Sequence, residues 1–205
     1  VEGSIRRARI ASKRCSDMEN VTIVCCPSDD LPDLGEFDAV LLIGVLEYAN
    51  MFLGENGNHQ LLQSCRERLG AAGQLFVAIE NKVGAKYLAG ANEDHLAIPM
   101  VGINDAYTTE SVRTYARQEL KALIAEAGFI QQDEFIPLPE YKLPVTVVSP
   151  LGVQNYSAEL SSLAVESVAA DVQGVPDYHF SLEQFNHVVW QNNLAPELCN
   201  SFLIV

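Results

Sequence analysis

The sequence is poor in positive charge. Its 205 residues hold 13 Lys and Arg against 27 Asp and Glu, a formal net charge of −14. A surface of that sign repels phosphates and anionic lipid, so neither nucleic acid nor a membrane surface is an expected partner. Histidine is scarce, at four residues, and His59, His179 and His187 are scattered. The five cysteines, Cys15, Cys25, Cys26, Cys65 and Cys199, form an odd set with no C-x-x-C pair. That argues against a disulfide framework and against a thiolate zinc site. No metal is expected, and a reducing cytoplasm is the simplest location. Long apolar runs are also missing. Residues 39–43 and 202–205 fall far short of the roughly 18 residues a membrane-spanning helix needs, and no basic-then-apolar leader precedes them.

What is present suits a single soluble domain over residues 1–205, with 48% hydrophobic residues. Ser4 can cap a helix to Cys15 with Ile5, Ala8, Ala11 and Cys15 on one stripe. Residues 21–26 form a short apolar run of the kind found in buried parallel strands. The acid- and turn-rich segment 27–35 reads as a loop. Phe37–Ile43 is the strongest strand and ends at Gly44. Leu61, Leu62, Cys65 and Leu69 mark a second helix before a strand at 74–80. Residues 81–109 have no period, and that length suits an acceptor-binding loop or lid. A helix with Leu120, Leu123, Ile124 and Ala127 on one face stops at Gly128, and a strand follows at 129–136.

Alternating helix and strand predict an α/β fold, a Rossmann-like, doubly wound, mostly parallel sheet. Residues 1–136 would form its core. Residues 137–200, punctuated by Pro137, Pro139, Pro144 and Pro150, would form an extended segment and a helical insertion, with helices at 158–171 and 182–191. Residues 201–205 would be the last strand. The chain opens on Val1 and closes on an uncapped strand, so a fragment lacking its first segment is expected.

Ligands of such sheets sit beyond the carboxyl ends of the strands. The legible ends are Val1-Glu2-Gly3-Ser4, Cys26-Pro27-Ser28-Asp29-Asp30, Ile43-Gly44-Val45-Leu46-Glu47-Tyr48 and Ile79-Glu80-Asn81-Lys82. Carboxylates at the first two suit a nucleoside, since each can accept both ribose hydroxyls or an amino group. The same acids also suit helix caps and solvated loops.

These segments, with Asp29-Asp30-Leu31-Pro32, Phe37-Asp38-Ala39-Val40, Leu69-Gly70-Ala71-Ala72-Gly73-Gln74-Leu75 and Ala127-Gly128-Phe129, resemble the class I S-adenosylmethionine-dependent methyltransferases. The likeness lies in order and spacing over residues 1–136. Residues 79–90 with Glu93-Asp94-His95, and Pro139-Glu140-Tyr141-Lys142-Leu143-Pro144, resemble more narrowly a bacterial branch that accompanies glycosyltransferases of surface-polysaccharide synthesis. The resemblance implies S-adenosylmethionine as cofactor. It implies Glu2 on the ribose, Gly3 beside the adenine, Ser28 and Asp29 in the loop bordering it, and Ile43, Gly44 and Val45 along its methionine part. Pro27 stands where many members carry an aspartate, so Asp29 or Asp30 must substitute. The family's glycine-rich first loop is missing from residues 1–205, and the chain by itself is therefore expected to be inactive and loosely packed.

The function expected is methyl transfer to a small-molecule or glycan-type acceptor, with a glycosyltransferase domain or protein as a possible partner. His95 is the candidate base, since histidine titrates near neutrality; a surface histidine in an acidic loop has the same sequence. Glu47 is the second catalytic candidate. Tyr48, Asn81, Lys86 and Tyr87 are candidates for holding the acceptor, although Tyr48 suits packing equally. An NAD(P)-dependent oxidoreductase of Rossmann type and a degenerate, non-catalytic methyltransferase-like interaction domain are the alternatives.

Overall fold

The structure, a computed structural model, describes residues 1–109, 111–173 and 177–205. The chain divides into two compact units, Val1–Glu36 and Phe37–Val205. Residues 174–176 of the expected insertion lie outside the described residues.

The first unit carries one helix, α1 (Ile5–Arg14). Ala8 is buried as the stripe predicts, but Ile5 and Ile10 are more than half exposed. The buried strand expected at 21–26 does not form. Its sole bridge among the described residues joins Cys25 to Glu2 in parallel, where the Glu2 N–H reaches the Val24 carbonyl at 2.9 Å. An apolar run becomes a strand only where neighbours take its backbone donors and acceptors. One bridge does not do so, and none of residues 21–26 is buried.

The second unit is α/β. In chain order it runs β1 (Phe37–Ile43), a tight helical turn (Leu46–Tyr48), α2 (Ala49–Leu53), α3 (Gly57–Glu67), β2 (Leu69–Glu80), α4 (Ala85–Leu88), α5 (Arg117–Glu126), β3 (Glu134–Leu138), β4 (Thr146–Val148), α6 (Pro150–Tyr156), α7 (Ser161–Ser167), a second tight turn (Val168–Ala170), α8 (Leu182–Gln191), α9 (Ala195–Leu198) and β5 (Ser201–Ile204). The five strands form one sheet in the order β1-β2-β5-β3-β4.

The sheet is mixed, which corrects the expectation of a mostly parallel one. Only β1 and β2 pair in parallel among the described strands; β5 is antiparallel to β2 and β3, and β4 is antiparallel to β3. Apolar patterning sets which face of a strand is buried but says nothing of its direction. The doubly wound arrangement is not visible in this sheet. The strand expected at 129–136 begins later, at Glu134; in the irregular stretch before it the Gln132 amide donates to the Lys121 and Phe129 carbonyls, so those backbone groups are met outside a ladder. The helix expected at 158–171 is shorter, α7 over Ser161–Ser167 followed by the tight turn Val168–Ala170, and a separate helix, α6, precedes it.

β2 starts five residues earlier than its apolar pattern, through Gly70 and Gly73. Gly73 lies so close to β1 that a Cβ there would meet the Phe37 carbonyl oxygen at 2.9 Å. The core gathers Leu42, Leu62, Val77, Ile79, Ile124 and Phe202 around the centre of the sheet. β5 lies between two partners, and Phe202 is fully buried. β1 is an edge strand, and its Leu41 is 60% exposed.

Two directional facts place the site. β1 and β2 are parallel, and β3, antiparallel to β5, runs in the direction of β2. The carboxyl ends of β1, β2 and β3 therefore share one end of the sheet.

Phe202→Ala should destabilise the protein by about 3–5 kcal/mol, the usual cost of emptying a buried aromatic site. Leu41→Ala should cost less than about 1 kcal/mol. Chemical denaturation followed by circular dichroism measures both.

Candidate functional site

Three strand ends and one loop build a charged cluster in the second unit. Beyond β1, the chain turns at Gly44, whose φ of +63° suits glycine. A Cβ there would meet the Tyr141 hydroxyl at 2.7 Å. The helical turn that follows carries Glu47 and Tyr48. Glu80 is the last residue of β2. Glu140, Tyr141 and Lys142 follow β3, and the Tyr141 N–H donates at 2.8 Å to the hydroxyl of Ser201, Glu80's own strand partner. Loop 81–109 supplies Lys86, Glu93, Asp94 and His95.

His95 lies at the centre. Its Nδ1 is 2.9 Å from the Tyr48 hydroxyl and its Nε2 is 3.4 Å from Glu80 Oε2. Ionised Glu80 can only accept, so Nε2 carries the hydrogen of that bond. The Tyr48 and His95 rings meet edge to face, 5.1 Å between centroids. Glu93 holds the loop in place by accepting the backbone N–H groups of His95 and Leu96 at 2.8 and 2.6 Å. Glu47 Oε1 is 3.8 Å from His95 Nε2.

Beside this triad, the Lys142 ammonium donates to Glu80 Oε1, to Asp94 Oδ2 at 2.7 Å and to Glu140 Oε2 at 3.2 Å. Lys86 adds a longer contact to Asp94, 3.3 Å. The Tyr141 hydroxyl donates to Glu80 Oε1 at 3.3 Å.

Burial pushes the Glu47 carboxyl up to about 7, helped by the neighbouring Glu80 charge. Burial also works against ionised Glu80, but hydrogen bonds from His95 and Lys142 and their charges prevail and hold it well below the ordinary carboxylate range. Burial pulls His95 down, yet the Glu80 hydrogen bond and the charges of Glu80, Glu93 and Glu47 outweigh it, and the ring's pKa is raised. The Glu140 carboxyl is raised by burial. Charge thus rests on Glu80, while Glu47 and Glu140 resist it.

Of the residues expected from sequence, the fold brings Glu47, Tyr48, His95 and Lys86 into this cluster. Asn81 and Tyr87 are buried close by. The Asn81 amide donates to the Glu197 and Cys199 carbonyls, both at 2.8 Å, and its oxygen accepts the Val83 N–H. These bonds tie loop 81–109 to the turn before β5. Tyr87 is 4% exposed, and burial keeps its phenol protonated.

Ile43 and Val45 are exposed on either side of Gly44. Glu2, Gly3, Ser28 and Asp29 belong to the first unit. There Glu2 accepts the Ser4 N–H at 2.7 Å and two N–H groups of Arg7 at 2.8 and 2.7 Å, and the Arg7 bonds lead in lowering its pKa to about 2. Gly3 and Asp29 are exposed and Ser28 is half-buried.

Glu80, Asp94, Glu140, Tyr141 and Lys142 are absent from the residues expected at the site. One signal was available for Glu80: an acid closing an otherwise apolar strand must find partners if that end is buried.

No family model matches the sequence. No curated protein matches it either. Among solved structures, the chain is similar to a SAM-dependent methyltransferase from Thermotoga maritima, described as a possible histamine N-methyltransferase, with 21% identity and a TM-score of 0.47. The match covers 73% of this chain and 62% of that one, so the chain spans less than two thirds of that protein's length. A likeness of this degree carries no functional inference.

Lys142→Met should cost about 3 kcal/mol, because it strands buried carboxylates without their cation. Glu80 is lowered in the folded state, so its contribution is present above its ordinary value of 4.5 and fades as pH falls. Lys142 is raised, so its contribution is present below 10.5 and fades as pH rises through its folded value. The loss should be largest between these limits and shrink in acid, as measured by urea unfolding at several pH values.

Proposed function

We propose that the protein transfers a methyl group from S-adenosylmethionine to a polar acceptor, a glycan-type hydroxyl compound, and that the acceptor meets the cluster at Tyr48 and Lys142. The observation that carries this reading is the hydrogen-bonded chain Tyr48–His95–Glu80 at the shared carboxyl end of three strands, where open α/β sheets take their ligands. The resemblance of the strand-end segments supports the choice of cofactor.

Each unit, taken by itself, keeps groups of the kind that cofactor needs. Exposed Ile43 and Val45 flank the Gly44 turn and offer apolar surface to its methionine part. Glu2 has taken three N–H groups. A carboxylate has about four acceptor positions, which leaves one for a ribose hydroxyl while Arg7 stays in place. When bound, S-adenosylmethionine supplies a sulfonium methyl that passes to an acceptor lone pair as the C–S bond breaks, leaving S-adenosylhomocysteine.

The chain's own residues orient and deprotonate. Tyr48 is half-buried and the Lys142 side chain is 30% exposed, so both reach solvent from an otherwise closed cluster. Tyr48 receives the acceptor's hydrogen bond. With the His95 ring neutral, Nδ1 accepts from the Tyr48 hydroxyl while Nε2–H donates to Glu80. A proton leaving the acceptor then has a path through Tyr48 to His95, the logic of a base oriented by a third group. Buried Lys86 donates to Asp94, next to His95 in the chain, and so steadies the loop that carries the base. Delivery of the acceptor by a glycosyltransferase and a cytoplasmic location complete the proposal; the first rests on the resemblance of residues 79–95 and 139–144.

Calorimetry on the intact protein should detect S-adenosylmethionine and S-adenosylhomocysteine. Absence of both would leave a non-catalytic interaction domain as the better reading. Glu2→Ala should weaken cofactor binding roughly 10- to 100-fold, the value of one hydrogen bond to a charged group. His95→Asn and Tyr48→Phe should each lower kcat by about 100-fold, the lower end for acid–base assistance, with cofactor affinity nearly unchanged. Equal turnover in both variants would sink the proton path.

A further inference from the structure

The two acidic groupings of the cluster differ in one respect. Glu80, Asp94 and Glu140 converge on a cation already in place, the Lys142 ammonium, which donates to all three. Glu47, Glu80 and His95 also converge, with one ligand atom of each within 4.8 Å of the others, but no lysine or arginine reaches between them among the described residues. Glu47 is 1% exposed, and neither of its oxygens has a hydrogen-bond partner. A buried carboxylate without partners is expensive. Its Oε1 points at His95 Nε2, the atom that also faces Glu80.

We propose that Glu47, Glu80 and His95 form a binding site for a first-row divalent cation, ligated by Glu47 Oε1, Glu80 Oε2 and His95 Nε2. The separations of 3.4 and 3.8 Å from Nε2 to the two carboxylates are close to the roughly 3–3.5 Å between neighbouring ligands on an ion with bonds of about 2.1 Å. Slight contraction onto the ion closes the difference. Two carboxylates and one imidazole suit zinc or manganese, whereas magnesium and calcium favour all-oxygen sets. Tyr48 supplies the outer contact that metal-ligating histidines use, at the opposite ring nitrogen. The balance of groups favours the ion too: among the described residues, the carboxyls of Glu47, Glu80, Glu93, Asp94 and Glu140 outnumber the basic side chains of the cluster, His95, Lys86 and Lys142. Burial limits the occupant to something the size of an ion, since Glu47 and Glu80 have almost no access to solvent.

The site goes beyond the methyl-transfer reading and stands without it. The two meet at His95. An ion on Nε2 leaves the remaining ring hydrogen on Nδ1, which then donates to Tyr48 and can no longer accept its proton. The cation therefore competes with the proposed proton path.

The test is titration of the intact, EDTA-dialysed protein with MnCl2, and separately with ZnCl2, followed by calorimetry and, for manganese, by electron paramagnetic resonance. One ion per chain is expected, with pulsed resonance showing a single imidazole nitrogen bound to manganese. Glu47→Gln should weaken binding at least 30-fold. It removes a buried, unpartnered carboxyl and keeps the shape, so the variant should fold, as a thermal melt will show. His59→Asn, which removes the exposed pair with Glu126, should leave binding unchanged. No binding below millimolar metal, binding without imidazole coupling, or binding that survives Glu47→Gln would each overturn the site. The nitrogen signal needs no variant and decides the matter even if Glu47→Gln is unstable. Cofactor calorimetry is independent of all these outcomes.

Discussion

Glu80 ends a strand in which Leu75, Val77, Ala78 and Ile79 are buried, and its carboxylate is withdrawn from water with them. Removing a carboxylate from water costs several kcal/mol even after the surroundings relax. The structure meets that cost with His95 on one oxygen and Lys142 and Tyr141 on the other. These partners come from segments 15 and about 60 residues further along the chain, so the buried charge fixes where both segments run. Loop 81–109 is pinned at its start by Asn81 and at its middle by Glu93. It forms a packed wall over the strand ends, with Ala85, Tyr87, Ala89 and Ala91 all buried.

That wall explains how a mixed sheet can still gather a site at one end. β5 enters between β2 and β3 and runs against both. Its reversal turns the end of β3 toward the end of β2, which brings Glu140, Tyr141 and Lys142 to Glu80. The cluster that results is unevenly neutralised. Lys142 serves three carboxylates, while among the described residues Glu47 has one ionic contact, a histidine at 3.8 Å. Groups left short of partners in this way are where ligands, protons or ions are taken up.

Much of this was legible in the sequence, and the remainder shows where such reading stops. Phe37–Ile43 announced itself as a strand by composition and by the glycine after it. Glu47, Tyr48 and His95 were singled out by position after a strand or by chemistry, and the fold joins residues 47 apart in one hydrogen bond. Lys142 was invisible as a site residue, because its partners depend on strand directions that apolar runs do not encode. The triad of Glu47, Glu80 and His95 was invisible for the same reason. Its members have no ligand spacing along the chain, and the scattered histidines argued against a metal. Residues 21–26 mislead in the opposite sense: their composition is that of a strand, yet a strand also needs neighbours on its edges.

The central claim is that Glu80 is the fixed negative charge around which the cluster is arranged, with Glu47 beside it as the carboxyl that resists ionisation. Carbon-13 NMR of the glutamate side-chain carboxyls, assigned by Glu80→Gln and Glu47→Gln and recorded from pH 3 to 9 without metal, tests this most directly. The account predicts a Glu80 resonance that stays ionised to the acid limit and a Glu47 resonance that titrates at about 7. A Glu80 carboxyl that is neutral at pH 7, or a Glu47 that titrates as an ordinary surface acid, would contradict it.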